Sequence, residues 1–488
     1  MTKTVSRRDV LGGVSALAVL GFSSGARAWV GGSGGGPLSK VPALDGQLLT
    51  DPSSLAAVSV DAGYSQTVTP LAVLRPGSVA DIQKMIRFCR RHGILVAARG
   101  QGHTTFGQAL VQGGLVIEMG SLATVHSIGS DHAIVDAGLK WSDLLQQTLA
   151  HGLTPPALTG YLGLSIGGTL SVGGISSSPR AGAQVDNVRE IEFVDGKGDL
   201  IVASKRKNPV LFAGVLAGLG QLGIITRATV ELVPAPTLVR VYTLDYANAA
   251  TFFTDMRTVL ERGEFDDCYN FGIPNGTGGW NYQLTMGIGF EPTSPPDTEH
   301  LLRGLSAPPA SAAYQDMPFS IFALRVDMAV EFFRSIGLWE GVQHPWFDVF
   351  LPDRTVEPYV TRVTASLTFE DVGPTGFLLL FPQKRRGLLD APLLQSPDCD
   401  RWFYLFDILT AAPAPGFDAD FDARMRARNR RLYDEAKAVG GARYPIGTLD
   451  FDEKDWRKHF GLAFPGLKVL KALSDPGGIL TPGPGIFG

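Results

Sequence analysis

The residues most able to do chemistry lie on one short loop, residues 99–109, which follows an apolar segment. The loop sets His103 among three glycines, Gly100, Gly102 and Gly107. Glycine permits tight turns, so backbone N–H groups on such a loop can point at an anion and a planar ligand can approach closely. A histidine fixed there can present an unprotonated ring nitrogen to a ligand, although a purely structural histidine is an alternative interpretation.

Two further glycine-rich segments could contact a phosphate. Residues 161–174 contain six small residues in their latter part, which leaves amides free to hold a pyrophosphate. A glycine-rich hairpin is the alternative there. Residues 218–223 match the GxGxxG pattern formally, but a helical pattern precedes them and the β-rich run Ile224–Val233 follows. We therefore reject a Rossmann-type dinucleotide site for this third segment.

Regular elements must position these loops. From Leu71 the pattern predicts strand, helix and strand, with Ser78 as N-cap, Gly93 after the helix and strand Ile94–Ala98 running into the histidine loop. Later segments alternate in the same way. The predicted elements are strands Leu115–Met119 and Ala133–Ala137, a helix from Ser142 to about His151, strands Val188–Val194 and Leu200–Ala203, and a helix opened by Asn208 and Pro209.

Composition narrows the class of protein. The chain has 488 residues, 44% hydrophobic and 18% charged, which is enough for two or three domains with buried cores and excludes a disordered protein. A net charge of −4 gives no reason to expect a nucleic-acid partner. Three cysteines without CxxC spacing, Cys89, Cys268 and Cys399, support neither a disulfide framework nor a metal site.

The N-terminus has the pattern of an export signal. Residues 1–28 combine basic residues, an apolar run Val10–Phe22 and an Ala-Arg-Ala motif ending at Ala28. The apolar run is short for a membrane span, so we expect a removable signal and no stable membrane anchor. The adjacent Arg7 and Arg8 favour the twin-arginine route, which exports folded, cofactor-loaded proteins to the periplasm or beyond; a general secretory signal is the alternative. Residues 29–47 are predicted to be a flexible linker.

Several spaced motifs together resemble the vanillyl-alcohol-oxidase-type flavoproteins, and among them the cytokinin dehydrogenases. The resemblance covers roughly residues 48–488. Its motifs, in chain order, are Pro70–Pro76, the histidine loop, the Ile-Gly-Gly-Thr-Leu-Ser run 166–171, the run 218–227, His344-Pro345-Trp346, Trp456 with His459 and Phe460, and Asp475-Pro476 leading to Phe487.

The resemblance implies an α+β, two-domain flavoprotein. Residues 48–236 and 441–488 would form the FAD-binding domain, and residues 237–440 a substrate domain of antiparallel sheet plus helices. His103 matches the histidine that binds the 8α-methyl carbon of FAD covalently in similar proteins. No cysteine lies in residues 159–163, so we expect a single covalent link.

The resemblance also implies which residues line FAD. These are Gly100, Gln101, Gly102, Thr104, Gln108, Ser165, Gly168, Ser171, Ile225 and Thr481. Pro484 stands where the family commonly has glutamine, so one side-chain amide near the C-terminus is lost.

Catalysis is where the chain departs from the family. The aspartate that accepts the substrate proton in plant cytokinin dehydrogenases is replaced by Gly160, and glycine cannot act as a base. Three residues are candidates for that role: Tyr161, which adjoins the vacated position, Asp267 and His344. Each has a bland alternative, namely ring packing for Tyr161, a solvated turn for Asp267 and pocket lining for His344.

We therefore expect an FAD-dependent oxidoreductase that takes a hydride from a CH–NH or CH–OH carbon of a small, flat or aromatic substrate, with oxygen or a quinone-like compound as electron acceptor. Aromatic residues of the substrate domain favour such a substrate: Phe271, Trp280, Tyr282, Phe290, Trp339, Trp346 and Phe350. The alternative is a flavin-bearing ligand-binding or electron-transfer protein without efficient turnover.

Overall fold

The computed structural model describes residues 19–23, 28–31, 41–306, 313–385, 393–397 and 401–487. Most of the predicted export signal and linker, and Cys399, lie outside the described residues. Among the described residues, no helix is both long and apolar enough to cross a bilayer.

The strands are numbered in chain order. They are β1 (Val19–Ser23), β2 (Ala28–Gly31), β3 (Gln47–Leu49), β4 (Ala72–Arg75), β5 (Val96–Arg99), β6 (Leu115–Glu118), β7 (Val125–Ile128), β8 (His132–Asp136), β9 (Leu153–Thr154), β10 (Val188–Asp195), β11 (Leu200–Ser204), β12 (Gly223–Glu231), β13 (Val233–Pro234), β14 (Leu238–Tyr246), β15 (Asp267–Pro274), β16 (Trp280–Phe290), β17 (Ala313–Pro318), β18 (Phe347–Pro352), β19 (Phe377–Lys384), β20 (Trp402–Leu409) and β21 (Ala442–Arg443).

The α-helices are numbered in the same way. They are α1 (Pro52–Ala57), α2 (Val79–His92), α3 (Trp141–Leu149), α4 (Ile166–Val172), α5 (Pro209–Val215), α6 (Ala249–Arg262), α7 (Thr298–Leu302), α8 (Phe319–Ala323), α9 (Arg325–Ser335), α10 (Asp353–Ser366), α11 (Phe369–Val372), α12 (Ala419–Ala438), α13 (Glu453–Phe460) and α14 (Phe464–Ser474).

A four-stranded sheet, β3-β4-β6-β5, carries the histidine loop. Strands β4 and β5 both run parallel to β6, and α2 is the connection between β4 and β5. The predicted helix is confirmed: Ser78 occupies the N-cap position, and Gly93 ends the helix in the left-handed conformation at φ +64°. Its apolar side chains Ile82, Met85, Ile86 and Cys89 are buried. The histidine loop therefore leaves the carboxyl end of a buried parallel strand, where ligand sites commonly lie.

The C-terminal segment returns to this sheet. The N–H of Val96 donates to the carbonyl of Ile479, and the N–H of Thr481 donates to the carbonyl of Val96. Thr481 is thereby fixed beside the strand that leads into the histidine loop.

A five-stranded antiparallel sheet, β11-β10-β12-β8-β7, forms the second layer of the first half of the chain. The predicted strands and the helices α3 and α5 are all present, with ends shifted by one or two residues. Residues 166–172 form α4, so the hairpin alternative for the glycine-rich segment is wrong. Residues 218–223 connect α5 to β12, as expected for a chain without a Rossmann site there.

The eight-stranded sheet, which we call the substrate sheet, has the order β17-β14-β16-β15-β19-β20-β18-β21 and is antiparallel throughout. Side chains alternate between its two faces. On one face Tyr404 and Phe406 of β20 contact Phe253 of α6 and Tyr359 of α10. The other face therefore holds the intervening residues of β20.

This architecture confirms the predicted α+β class, with two smaller sheets in the first half of the chain and a large antiparallel sheet covered by helices. The exact domain boundaries stay predictions. The smaller β13 ladder ends at Pro234 and the substrate sheet begins at Leu238, whereas Ala442 and Arg443 still pair with β18 of the substrate sheet.

Candidate active site

One cavity of about 660 Å³ lies between the histidine loop and the substrate sheet. The histidine loop, α4 and the C-terminal segment border it on one side, which we call the flavin side. The face of the substrate sheet opposite to α6 and α10 borders it on the other, which we call the sheet side, with α9 alongside. All eleven predicted FAD contacts, His103 included, border this cavity.

A buried carboxylate that the sequence analysis missed holds the histidine loop. Asp61 accepts hydrogen bonds from the N–H of Gly107 at 2.5 Å and from the N–H of Gly63 at 3.1 Å. Burial raises the pKa of Asp61 to about 6, although both hydrogen bonds and the nearby Arg99 act in the opposite direction. Asp61 follows α1 in a polar loop and has no motif around it, so nothing in the sequence marks it.

His103 sits inside a cage of aromatic rings. Its ring centroid lies 5.2 Å from that of Tyr161, 5.2 Å from that of Trp346 and 6.2 Å from that of Trp339. Burial, with further contributions from His344 and Arg334, lowers the pKa of His103 to about 3. The imidazole is therefore neutral at physiological pH and has an unprotonated nitrogen available for bond formation.

The flavin side fits FAD by its donors and by its lack of side chains. The backbone N–H groups of Gln101, His103 and Thr104 make no backbone hydrogen bond within the described ranges. The hydroxyl of Thr104 is buried and has no protein partner there either. At Gly100 a Cβ atom would lie 2.1 Å from the Ser165 hydroxyl, so glycine lets the loop backbone pack closely against Ser165 before α4. These free donors suit the phosphate and ring-carbonyl oxygens of FAD.

At other predicted FAD contacts, the side chains form hydrogen bonds with the backbone of the protein. The Gln108 side chain accepts from the N–H of Phe106, and its amide nitrogen lies 3.3 Å from the carbonyl of Ile446. The hydroxyls of Ser171 and Thr481 donate to the carbonyls of Gly167 and Gly220. These three residues border the cavity while fixing the backbone around it.

Gly160 is open toward the cavity. A Cβ atom there would lie 3.6 Å from Val326 of α9 and 3.9 Å from the ring tip of Phe381 of β19, which are ordinary contact distances. Position 160, where the resemblance implies the family aspartate, therefore has room for a side chain.

Two of the three predicted catalytic residues border the cavity. Burial raises the pKa of the Tyr161 phenol, and Arg334 lies close enough to interact with it. The Nδ1–H of His344 donates to the carbonyl of Ala62 at 3.0 Å. Burial also lowers the pKa of His344. Both roles stay predictions.

Asp267 is not among the residues that border the cavity. It accepts a hydrogen bond from Ser177 at 2.6 Å and pairs with Arg325 at 3.4 Å. Arg325 borders the cavity, with its guanidinium 3.9 Å from the ring centroid of Tyr269. Asp267 therefore neutralises and positions a cavity-lining cation, and any catalytic role for it stays a prediction.

The sheet side is mainly apolar and aromatic. Alternate residues of three neighbouring strands border the cavity: Tyr269 and Phe271 of β15, Phe377, Leu379 and Phe381 of β19, and Leu405 and Leu409 of β20. Of the seven aromatic residues singled out in the sequence, Phe271, Trp339 and Trp346 border the cavity and the other four, Trp280, Tyr282, Phe290 and Phe350, do not.

Two carboxyl groups interrupt this apolar face, and the sequence analysis did not find them. Asp348 of β18 lies directly opposite Asp407 of β20 in the antiparallel ladder, both border the cavity, and each is only 3% exposed. Burial raises the pKa of Asp348 to about 7 and that of Asp407 well above its usual range, where the neighbouring Asp348 acts in the same direction. We call these residues the carboxyl pair.

Comparison with known proteins agrees with this site. Residues 70–204 match the family described as an FAD binding domain, and residues 278–487 match the family described as cytokinin dehydrogenase 1, FAD and cytokinin binding. An uncharacterized oxidoreductase of the fasciation locus of Rhodococcoides fascians is 35% identical over 89% of this chain and 97% of its own length.

Plant proteins are similar over nearly the same span. Cytokinin dehydrogenase 4 of Oryza sativa subsp. japonica is 33% identical over 91% of this chain and 90% of its own length. Cytokinin dehydrogenase 1 of Arabidopsis thaliana is 31% identical over 88% of this chain and 81% of its own length. The predicted resemblance is confirmed: the chain is an FAD-dependent oxidase or dehydrogenase that belongs to the cytokinin dehydrogenase family of vanillyl-alcohol-oxidase-type flavoproteins.

Proposed function

We propose that this protein oxidises a CH–NH or CH–OH carbon of a small, flat substrate, with a cytokinin or a compound of similar shape as the first candidate. The supporting observation is that one cavity has a donor-rich flavin side and an apolar, aromatic sheet side. FAD, when bound, supplies the acceptor for a hydride from the substrate carbon. A flat substrate between the two sides would present that carbon to the isoalloxazine ring.

The residues of this chain would orient the substrate and exclude water. Phe381 of β19 and Val326 of α9 lie beside Gly160 and line the cavity there. Arg325 adds one fixed positive charge at the cavity edge, held by Asp267 and by the rings of Tyr269 and Phe322. An apolar slot with few polar groups is the usual composition of a small-molecule site.

The test is anaerobic mixing of the yellow holoprotein with an isoprenoid cytokinin, then with a panel of aromatic amines and alcohols, while the visible flavin band is followed. Bleaching by the cytokinin supports the first candidate, and bleaching by another compound moves the substrate within the same reaction class. If no compound bleaches the flavin but one shifts its spectrum, the protein is a binding module and the proposal is wrong. Peroxide formation in air would identify oxygen as the acceptor, whereas turnover only with a quinone or dye would identify a dehydrogenase.

We also propose that FAD is bound covalently through His103. The neutral imidazole, enclosed by Tyr161, Trp339 and Trp346, supports this because bond formation at the 8α-methyl carbon needs an unprotonated nitrogen. After acid precipitation, all flavin should stay with the wild-type protein and none with His103→Ala. The exposed His151→Ala is the matched control and should retain its flavin. Release of all flavin from the wild type would contradict a covalent link.

Finally, we propose that the protein is exported by the twin-arginine route. The Arg7-Arg8 pair ahead of a short apolar run supports this. Replacing both residues by lysine should leave the protein in the cytoplasm, and the wild-type periplasmic form should begin at Trp29. Arg27→Lys, outside the pair, is the control. Unchanged export of the double-lysine variant would indicate the general secretory route instead.

A further inference from the structure

The carboxyl pair is an unusual arrangement for a buried sheet face. Residues directly opposite in an antiparallel ladder have Cβ atoms about 4.5–5.5 Å apart, and like charges at such positions repel. Both oxygens of Asp348 and one oxygen of Asp407 lack a hydrogen-bond donor among the described residues. Two carboxylates can satisfy each other in such a site only if they share a proton.

The surroundings leave the pair without a countercharge in direct contact. Among the described residues, Arg443 is the basic group that acts on Asp348, and no basic group acts on Asp407. Arg443 of the neighbouring strand β21 acts on Asp348 only from further away, and its guanidinium lies on the rings of Phe451 and Trp456. The Tyr444 phenol also lies near the pair, and burial raises its pKa, so it stays neutral.

The pair lies near the vacancy at Gly160. Asp407 is opposite Leu379 in the ladder with β19, and Leu379 is two residues from Phe381 on the same face of the strand. The ring tip of Phe381 is the atom group that would contact a side chain at position 160. A substrate lying over this part of the sheet therefore meets carboxyl oxygens from the sheet side.

We propose that Asp348 and Asp407, sharing one proton, are the acid–base group of the reaction and replace the aspartate that Gly160 lacks. The inference rests on the proposed function and assigns the proton acceptor within the same site. It places that acceptor on strands β18 and β20 of the substrate sheet instead of at position 160.

The step balances with the oxidant already named. The C–H bond of the substrate breaks with its electron pair, which leaves as hydride to the isoalloxazine ring of FAD. The N–H or O–H proton on the adjacent atom passes to the free carboxylate of the pair, and the electrons of that bond form C=N or C=O. The substrate is oxidised, the flavin is reduced, and the pair ends with two protons, one of which later returns to solvent.

The experiment measures the rate of flavin bleaching in the full holoprotein from pH 5 to pH 9. The compound is the one that bleaches the wild type, and the variants are Asp348→Asn, Asp407→Asn and the double variant. Asparagine keeps the shape, and each single variant keeps one carboxylate beside an amide donor. Asp255→Asn is the control, because Asp255 is buried outside the cavity and accepts from Tyr246 and Ser306.

We expect the wild-type rate to rise with pH through about 7, because the doubly protonated pair cannot accept a proton. Each single variant should keep a rate within about tenfold of the wild type, because it retains one carboxyl group beside an amide donor, and its rate should still rise with pH. The double variant should be slower by about 100-fold or more at pH 8 and lose this pH dependence. Asp255→Asn should keep the wild-type pH profile.

A second readout does not depend on turnover. An infrared spectrum of the wild-type holoprotein should contain the carbonyl band of a buried protonated carboxyl group at pH 8, and the double variant should lack it. If the wild type is bleached but the double variant keeps its rate and pH profile, only this inference is wrong. If no compound bleaches the wild type, the proposed function is wrong, and the acid–base role of the carboxyl pair is wrong too. Absence of the infrared band would exclude a shared proton.

Discussion

The two sides of the cavity are built by different means. The flavin side consists mainly of backbone. It has free N–H groups of the histidine loop, glycines that allow close backbone packing, and hydroxyl groups that donate to backbone carbonyls. The sheet side consists of side chains on strands β15, β18, β19 and β20, which come from residues between 267 and 409. Each segment of the flavin side is a short continuous motif in the sequence. The sheet side exists only after strands distant in sequence have paired.

This difference indicates where the enzyme can change. A backbone surface that holds FAD depends on loop conformation and tolerates few substitutions. A side-chain surface can gain or lose a functional group by one substitution at a cavity-facing position, such as Asp348 or Asp407. Position 160, where the resemblance implies an acid, is glycine in this chain, and the sheet side has two acids. The predictions that follow test this division of roles.

The largest expected effect comes from removing both carboxyl groups of the pair and placing a carboxylate at position 160 instead. In the Asp348→Asn, Asp407→Asn background, Gly160→Asp should restore the rate of flavin bleaching by about tenfold or more. The reason is that a Cβ atom at position 160 meets only ordinary contacts with Val326 and Phe381 and faces the cavity. The measurement is anaerobic stopped-flow mixing at pH 8.

Gly160→Asn in the same background is the control, since it has the same shape and cannot accept a proton. If neither the aspartate nor the asparagine variant recovers the bleaching rate, position 160 does not face the reacting atoms. If both recover it, the cavity needed a side chain to fill it and not a base.

The same division explains what the sequence could predict. Local motifs predict the loop around His103 and the helix α2 with Ser78 and Gly93. The family resemblance predicts eleven FAD contacts, and the structure brings those residues to one cavity. The carboxyl pair does not follow from them, because Asp348 and Asp407 are 59 residues apart and meet only through the register of β18 and β20. The alternation of side chains along a strand indicates on which face of the sheet each aspartate lies. No local signal in the sequence indicates which strands pair with each other.

An intermediate effect is expected at Asp61, which anchors the flavin side. Asparagine can accept only one of the two N–H hydrogen bonds, from Gly107 and Gly63, and would turn its own donor toward the other. Asp61→Asn should therefore lower the free energy of unfolding by about 1–3 kcal/mol and reduce the flavin content of the purified protein.

The measurements are the thermal midpoint and the ratio of flavin to protein absorbance. Asp51→Asn is the control, because Asp51 is the exposed N-cap of α1 and asparagine caps a helix about as well. A full flavin content in Asp61→Asn would show that the histidine loop keeps its shape without this carboxylate.

The smallest expected effect is on the free energy of unfolding, at Asp407 on the sheet side. It is a gain in stability, whereas the effect expected for Asp61→Asn is a loss. The pKa of Asp407 is raised in the folded protein, so the folded state holds a proton that the unfolded state releases above about pH 4. Wild-type stability therefore falls as pH rises from about 4 toward the folded pKa. Asp407→Asn lacks this loss, so its free energy of unfolding at pH 8 should exceed that of the wild type by about 1–2 kcal/mol. The gain should shrink as pH falls toward 4.

The measurement is the thermal midpoint of both proteins at several pH values. Asp255→Asn should be less stable than the wild type at pH 8, because its carboxylate already has donors in Tyr246 and Ser306. The two substitutions replace equally buried carboxyl groups, so opposite signs would locate the cost in the missing donors of the carboxyl pair. A loss of stability in Asp407→Asn at every pH would mean that the shared proton stabilises the substrate sheet more than the buried charge destabilises it.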